Sequence, residues 1–215
     1  MADANANKEK WAAKNAGKVL HPDAVAQQKI ARAKVPPGQT VAKKWPRLDL
    51  GMVPTVPLER WYLKVSGLVE RPVTLKWDDF LKLPQSEQIA DMHCVTTWSV
   101  LDSQFAGVKF SDLAKHVGVK PEATHVYFRC FDGYTTNLDL PCCMDDDVMI
   151  IHTWNNKPLD EEHGGPVRTL IPKRYLWKSA KWVHEIEFLA QDRLGYWEMR
   201  GYHNNGDPWT DERFS

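Results

Sequence analysis

Residues 61–67, Trp-Tyr-Leu-Lys-Val-Ser-Gly, decide how this chain is read. Trp61, Leu63 and Val65 alternate with Tyr62, Lys64 and Ser66, the period-two pattern of a strand with one buried face, and Gly67 ends it. Working outward, further strands are expected at 124–131, 148–154, 167–171 and 182–189, and Asn155-Asn156 is placed to turn a hairpin between Thr153 and Lys157. The helices among them are short. Residues 77–84 read as a turn or two of helix stopped at Pro84, and residues 110–117 as a second helix with Ser111 as its N-cap and Gly118 as its stop. Strands outnumber helices and no βαβ beat repeats, so the expected class is α+β around a mixed sheet rather than a doubly wound parallel sheet.

The remainder of the chain frames that domain. Its 215 residues suffice for one catalytic-sized domain with an appendage. Twenty-eight basic and 28 acidic side chains cancel to a net charge of zero, so no global field gathers nucleic acid or an anionic membrane, and any anion site must be local. No apolar run approaches the roughly 18 residues that a membrane-spanning helix needs. Residues 1–35, rich in Ala and Lys, show weak helical periodicity across Trp11, Leu20, Ala24 and Ile30 and read as an appendage. Five prolines between Val35 and Pro57 predict an extended arm over the domain surface. The expected division is therefore an arm at 1–52 and a domain at 53–215. The opening residues show neither an apolar signal core nor twin arginines, so the expected compartment is the cytoplasm. The ten tryptophans predict a heavily aromatic core or a cofactor pocket.

Three segments carry chemistry. Cys94 lies in Ala-Asp-Met-His-Cys-Val-Thr-Thr-Trp-Ser, residues 90–99, where hydroxyls follow closely at Thr96, Thr97 and Ser99. Its thiol reads as a nucleophile, a soft metal ligand or an inert buried group. The other cysteines, Cys130, Cys142 and Cys143, read as small buried hydrophobes, since no C-x-x-C pair is present. Residues 161–182 place Arg168, Lys173, Arg174, Lys178, Lys181 and His163 beside the Gly164-Gly165 pair, with Leu176, Trp177 and Trp182 interleaved. That composition suits a phosphate cradle in which Arg168 grips oxygens, Lys181 adds a point charge and the glycines let backbone approach the ligand; a solvated basic surface is the plainer alternative. Residues 131–141 put Asp132-Gly133 at a turn ahead of Thr135, Thr136 and Asn137, which signals a hairpin.

Taken together and in order, His-Cys-Val-Thr-Thr-Trp-Ser (93–99), Cys-Phe-Asp-Gly-Tyr-Thr-Thr (130–136), His-Gly-Gly-Pro-Val-Arg-Thr-Leu-Ile-Pro (163–172) and Lys-Ser-Ala-Lys-Trp (178–182) resemble the molybdopterin-binding domain of the sulfite-oxidase family, over roughly residues 53–209. The resemblance implies an α+β sulfite-oxidase-type fold around one molybdenum-molybdopterin. It implies Cys94 as the thiolate ligand of molybdenum, and His163, Arg168, Ser179, Ala180 and Lys181 as the pocket for the pterin phosphate. A further pterin contact falls at Cys130. It also implies a two-electron oxygen-atom transfer on a small substrate, with the protein supplying positioning and electrostatics.

The chain departs from that family usefully. Val95, Thr96, Thr97 and Trp98 stand where sulfite oxidases carry an Asn-Arg-Arg-type segment, so a neutral or weakly charged oxide is expected in place of sulfite. Thr96 also replaces the acidic residue of the methionine-sulfoxide-reductase branch. No haem segment or dimerisation domain is recognised, so a separate electron donor or acceptor protein is expected. Thr96, Trp98, Arg129 and Tyr134 are the expected substrate-pocket residues. Two alternatives stand beside this reading: a degenerate member that binds the cofactor without turnover, and a metal-free thiol hydrolase pairing Cys94 with His152 or His125.

Overall fold

A computed structural model describes residues 34–215, so the helical reading of residues 1–33 lies outside the described residues. Two mixed sheets make up the frame. The first orders β1 (Thr40–Val41), β5 (Trp98–Lys109), β8 (Met149–Trp154) and β10 (Arg168–Leu170), with β4 (Gln85–His93) also paired to β5 and β9 (Lys157–Pro158) to β8. The second orders β3 (Val73–Lys76), β2 (Tyr62–Gly67), β11 (Val183–Leu189), β6 (His125–Cys130) and β7 (Thr135–Asp139). Each contains one parallel pairing, β1 with β5 and β2 with β11, among antiparallel ones. The strands read at 61–67, 124–131, 148–154, 167–171 and 182–189 are all present within a residue or two of the expected bounds. Asn155 and Asn156 take left-handed conformations in the turn that pairs Trp154 with Lys157, as the hairpin requires.

Among the described residues three short α-helices join them, α1 (Trp77–Leu81), α2 (Phe110–Val117) and α3 (Leu140–Cys143). In α2 the cap is Lys109 and not the expected Ser111, because the Phe110 backbone N–H donates to the Val148 carbonyl and starts the helix a residue earlier. Gly118 closes it in the left-handed conformation at φ 67°, as read from the sequence. Among the described residues no helix is long and apolar enough to cross a membrane.

The first sheet separates two apolar clusters. Along β8, Ile150 faces the larger cluster with Trp61, Leu63, Phe128 and Phe188, whereas Met149 and Ile151 face the smaller one with Trp45, Phe105 and Leu170. Side-chain alternation along one buried strand thus feeds both cores. The four cysteines are buried free thiols.

The arm is where expectation and structure part. Val35–Ser215 form one compact unit, so residues 35–52 belong with the domain and not with an arm ending at 52. The reason is local: Thr40 and Val41 pair with Trp98 and Ser99, and Trp45, 7% exposed, inserts its ring into the smaller cluster. An indole there buries more apolar area than a surface strap would.

Candidate active site

The turn between β4 and β5 carries Cys94. Its N–H donates to the Trp98 carbonyl at 2.8 Å, and the Thr97 N–H donates back to the Cys94 carbonyl at 3.0 Å, so Cys94 stands on a closed turn and not on a strand. The thiol lies 3.2 Å from the Thr96 hydroxyl. Burial pushes the thiol pKa up, and the Thr96 hydrogen bond together with the charge of Arg213 works against that rise. Cys94, Thr96 and Trp98 all line one cavity of about 320 Å³.

The basic segment sorts itself by burial and partner. Arg168 and Lys181 line the same cavity as Cys94, with His163, Ser179 and Trp177. The Arg168 guanidinium, 3% exposed, donates to three carbonyls, those of His163 and Ser179 at 2.9 Å and of Thr169 at 3.2 Å. Lys181 donates to the Glu162 carbonyl at 2.9 Å and lies 4.1 Å over the Trp182 ring. Neither makes an ion pair with a carboxylate among the described residues. Burial consequently lowers Arg168 to about 9, and burial with the like charge of Arg168 lowers Lys181 to about 8. A buried and a half-buried cation held by neutral carbonyls leave a positive charge that a phosphate would offset.

The other cations of the stretch do not take part. Lys173 pairs with Asp145 at 2.8 Å on the surface. The Arg174 guanidinium donates to the Lys173 carbonyl, outside the cavity. Lys178 is fully buried against Glu198 at 2.7 Å and also donates to Asn137, so its charge is spent inside the fold. The glycines serve packing and not close approach to a ligand. At φ 103°, Gly164 brings its backbone against Lys181, where a Cβ would stand 2.9 Å from the Lys181 Cβ.

Among the remaining expected residues, His163 lines the cavity, but both its ring nitrogens face protein acceptors, Asp160 at 2.8 Å and the Trp45 carbonyl at 3.1 Å. Tyr134 also lines the cavity, with its hydroxyl donating to the Trp177 carbonyl. Burial holds its pKa well above the usual phenol value, so it remains a phenol. Ser179 lines the cavity while its hydroxyl accepts from the Ile171 N–H at 3.0 Å. Ala180 is fully buried behind that wall, its carbonyl accepting from the Thr169 N–H.

Three expectations are corrected. Arg129 does not reach the cavity: it pairs with Glu187 at 2.9 Å on the opposite face of β6, because its neighbour Cys130 points inward and successive strand residues alternate. Cys130 itself is packed in the larger core and does not line the cavity. The thiol hydrolase loses its dyad. His152 bonds Gln85 and Thr153, His125 bonds Thr124, and His93 bonds Ser99, which leaves Cys94 with Thr96 as its side-chain partner.

Sequence reasoning missed a whole wall. Trp45, Arg47, Leu48 and Asp49 line the cavity from the proline-rich segment, and Trp197 and Tyr202 line it from the C-terminal side. Only the abundance of tryptophan signalled such a wall.

The oxidoreductase molybdopterin-binding domain family matches residues 50–197. The chain belongs to this family. It is 40% identical over 190 residues to the uncharacterized oxidoreductase YuiH of Bacillus subtilis (strain 168), covering 88% of this chain and 96% of that protein. To the protein-methionine-sulfoxide reductase catalytic subunit MsrP of Campylobacter jejuni it is 27% identical over 172 residues, which span 70% of this chain and 58% of that protein. The sulfane dehydrogenase SoxCD from Paracoccus pantotrophus shares its fold at a TM-score of 0.59 and 23% identity, over 65% of this chain and 40% of that chain. The chain is a sulfite-oxidase-like molybdopterin-dependent oxidoreductase, and its cofactor is molybdenum-molybdopterin. The donor set of the molybdopterin domain fits that group: a thiol suited to a soft metal, two cations that make no ion pair among the described residues and so suit a phosphate, and indole walls suited to a planar ring system, all on one cavity.

Proposed function

We propose that this oxidoreductase transfers an oxygen atom to or from a small neutral substrate, with Cys94 as the thiolate ligand of molybdenum and Arg168 and Lys181 as the phosphate-binding cations. The observation that carries this reading is the single cavity lined by Cys94, Arg168 and Lys181. When bound, the molybdenum pterin supplies the two-electron redox chemistry. The protein's own residues do the rest. Arg168 and Lys181 would hold the phosphate, the Trp177 and Trp197 indoles on the same cavity would keep water out, and the closed turn fixes where the Cys94 sulfur stands.

The substrate class follows from charge. A sulfite-binding pocket must offset the lost hydration of an anion with fixed cationic donors. Arg129 faces away, and Arg213, the cation whose charge reaches Cys94, is engaged by the Val95 carbonyl and Asp211. Hydroxyl and indole groups at Thr96 and Trp98 remain, which suit a sulfoxide or an N-oxide. A separate electron carrier completes the cycle. The cytoplasm, supported by the four unpaired thiols, belongs to the same proposal and is tested by cell fractionation.

Steady-state assays of the cofactor-loaded protein decide the substrate. Sulfoxides and N-oxides should turn over with a reduced dye donor faster than sulfite does with a dye acceptor. A sulfite efficiency above ~10⁴ M⁻¹s⁻¹, inside the ordinary enzyme range, overturns the neutral-substrate reading. For the metal ligand, Cys94→Ser should keep the fold and pterin but lose the sulfur-dependent absorption band and the activity; an unchanged band removes Cys94 from the metal.

A further inference from the structure

The turn that carries Cys94 is strained and yet held rigidly. Thr97 takes φ 73°, a left-handed conformation that a β-branched residue adopts only where its surroundings impose it. Three carbonyls of this turn are gripped from outside it. The Cys94 carbonyl accepts from the Gln39 side-chain amide at 3.0 Å, the Val95 carbonyl from the Arg213 guanidinium, and the Thr97 carbonyl from the backbone N–H of Thr40 at 3.0 Å and its hydroxyl at 3.2 Å.

The grips are themselves fixed. Gln39 is buried, and its amide oxygen accepts from the Ser99 hydroxyl at 3.4 Å, which in turn lies 2.8 Å from His93 Nδ1. Arg213 donates through Nε to Asp211 at 2.6 Å, the Tyr175 hydroxyl donates to the same carboxylate oxygen at 3.1 Å, and the guanidinium lies 5.5 Å over the Tyr175 ring. Neither Gln39 nor Arg213 lines the cavity, so neither is built to touch a substrate. Both lie outside residues 50–197, one on each side of that family segment.

We propose that Gln39 and Arg213 are positioning residues that set the aim of the Cys94 thiol, one from each flank of the family segment. The proposal rests on Cys94 being the metal's ligand. A turn held by one donor could still swing about the other; with side chains gripping successive carbonyls, the Cα–Cβ bond of Cys94 has one direction. Loss of either grip frees the Cys94–Val95 part of the turn to shift while Thr40 still holds the Thr97 carbonyl, and that shift moves the sulfur.

The test uses the cofactor-loaded enzyme with Gln39→Leu, Arg213→Met, Arg213→Lys and Cys94→Ser. Each is followed by pterin content, melting temperature, the sulfur-dependent absorption band, and amide hydrogen exchange over residues 94–97. Gln39→Leu and Arg213→Met should keep their pterin, shift the band, speed exchange in the turn about tenfold or more, and lower kcat with a smaller effect on KM. Arg213→Lys, which keeps one donor, should recover part of each change and remains informative if Arg213→Met fails to fold. A native band and native exchange in Gln39→Leu and Arg213→Lys, with the band altered in Cys94→Ser, overturns the positioning role alone. A native band in Cys94→Ser itself removes the ligand reading and this proposal with it.

Discussion

The guanidinium carbon of Arg168 lies 4.9 Å from the centre of the Trp45 ring, which joins the proline-rich segment to the strand that carries the main cation of the cavity. The same indole stands 4.6 Å from the His163 ring and 4.9 Å from Trp154. Trp45 is therefore part of the cavity wall beside Arg168 as well as a core residue. Trp45→Ala should cost about 3–5 kcal/mol of stability by the usual price of deleting a large buried ring, and should lower pterin content beyond what instability explains. Trp45→Phe should recover most of both. Denaturant titration and pterin fluorescence on the two variants check this; full pterin in Trp45→Ala would leave the indole a packing role only.

Arg168→Ala and Lys181→Ala should each weaken pterin retention by roughly ten- to a hundredfold, since a charge-assisted hydrogen bond in a half-buried pocket contributes about 1.5–3 kcal/mol. Lys173→Ala, whose partner is Asp145 on the surface, should have no such effect. The comparison is made by equilibrium dialysis and fluorescence of the oxidised pterin. Equal retention in all three variants would mark the basic stretch as ordinary surface.

Lys181 gives the site a pH dependence whose sign is fixed. Burial, with the like charge of Arg168, brings its folded-state value down from 10.5 to about 8, while Asp49 and Asp132 pull the other way. Between pH 8 and 10.5 the unfolded chain binds the extra proton, so the cofactor-free protein should gain stability from this residue as pH rises through that window. Anion capture runs the opposite way: binding of inorganic phosphate should decline as pH rises through about 8, where the Lys181 ammonium is lost, and further through about 9, where Arg168 loses its charge. Lys181→Arg should move the decline upward. Phosphate titration by calorimetry across this range reads the effect directly, and a flat profile would detach Lys181 from the anion.

Lys178 and Glu198 make a buried ion pair at 2.7 Å, and the same carboxylate oxygen accepts from Thr136 and Trp177 at 3.1 Å. Lys178→Met should cost about 3–5 kcal/mol because it leaves a buried carboxylate without its cation. Adding Glu198→Leu should restore part of that loss, since removing both charges leaves neither to be solvated. Chemical denaturation of the single and double variants tests the coupling.

Period-two strands and asparagine turns were legible because their signals are local. β2 announces itself through Trp61, Leu63 and Val65, and the hairpin at Asn155-Asn156 through two residues that tolerate positive φ. The hairpin of β4 and β5 was not legible, although β5, with 12 residues, is the longest strand among the described residues. Its register shifts between Ala90 and Met92 and again between Ala106 and Gly107, and each bulge interrupts the alternation by which a strand is recognised.

The candidate site divides in the same way. Sequence by itself singled out Cys94, Arg168 and Lys181 as candidates whose chemistry suits a soft metal and a phosphate, because thiol softness and cation charge belong to the residue and travel with it wherever the chain goes. Tertiary structure decided which like residues share that role. Lys178 and Lys181 stand in one short stretch, yet Lys178 meets Glu198 in the core and Lys181 meets the cavity; Arg129 and Cys130 are neighbours, yet strand alternation sends one outward and the other inward. Tertiary structure also brought Trp45, Gln39 and Arg213 to a site that no spacing connects them with, since what places them is the burial of an indole and the capture of turn carbonyls by residues distant in the chain. Direction and long-range proximity are properties of the packed fold, and the charge or softness of a side chain does not encode them.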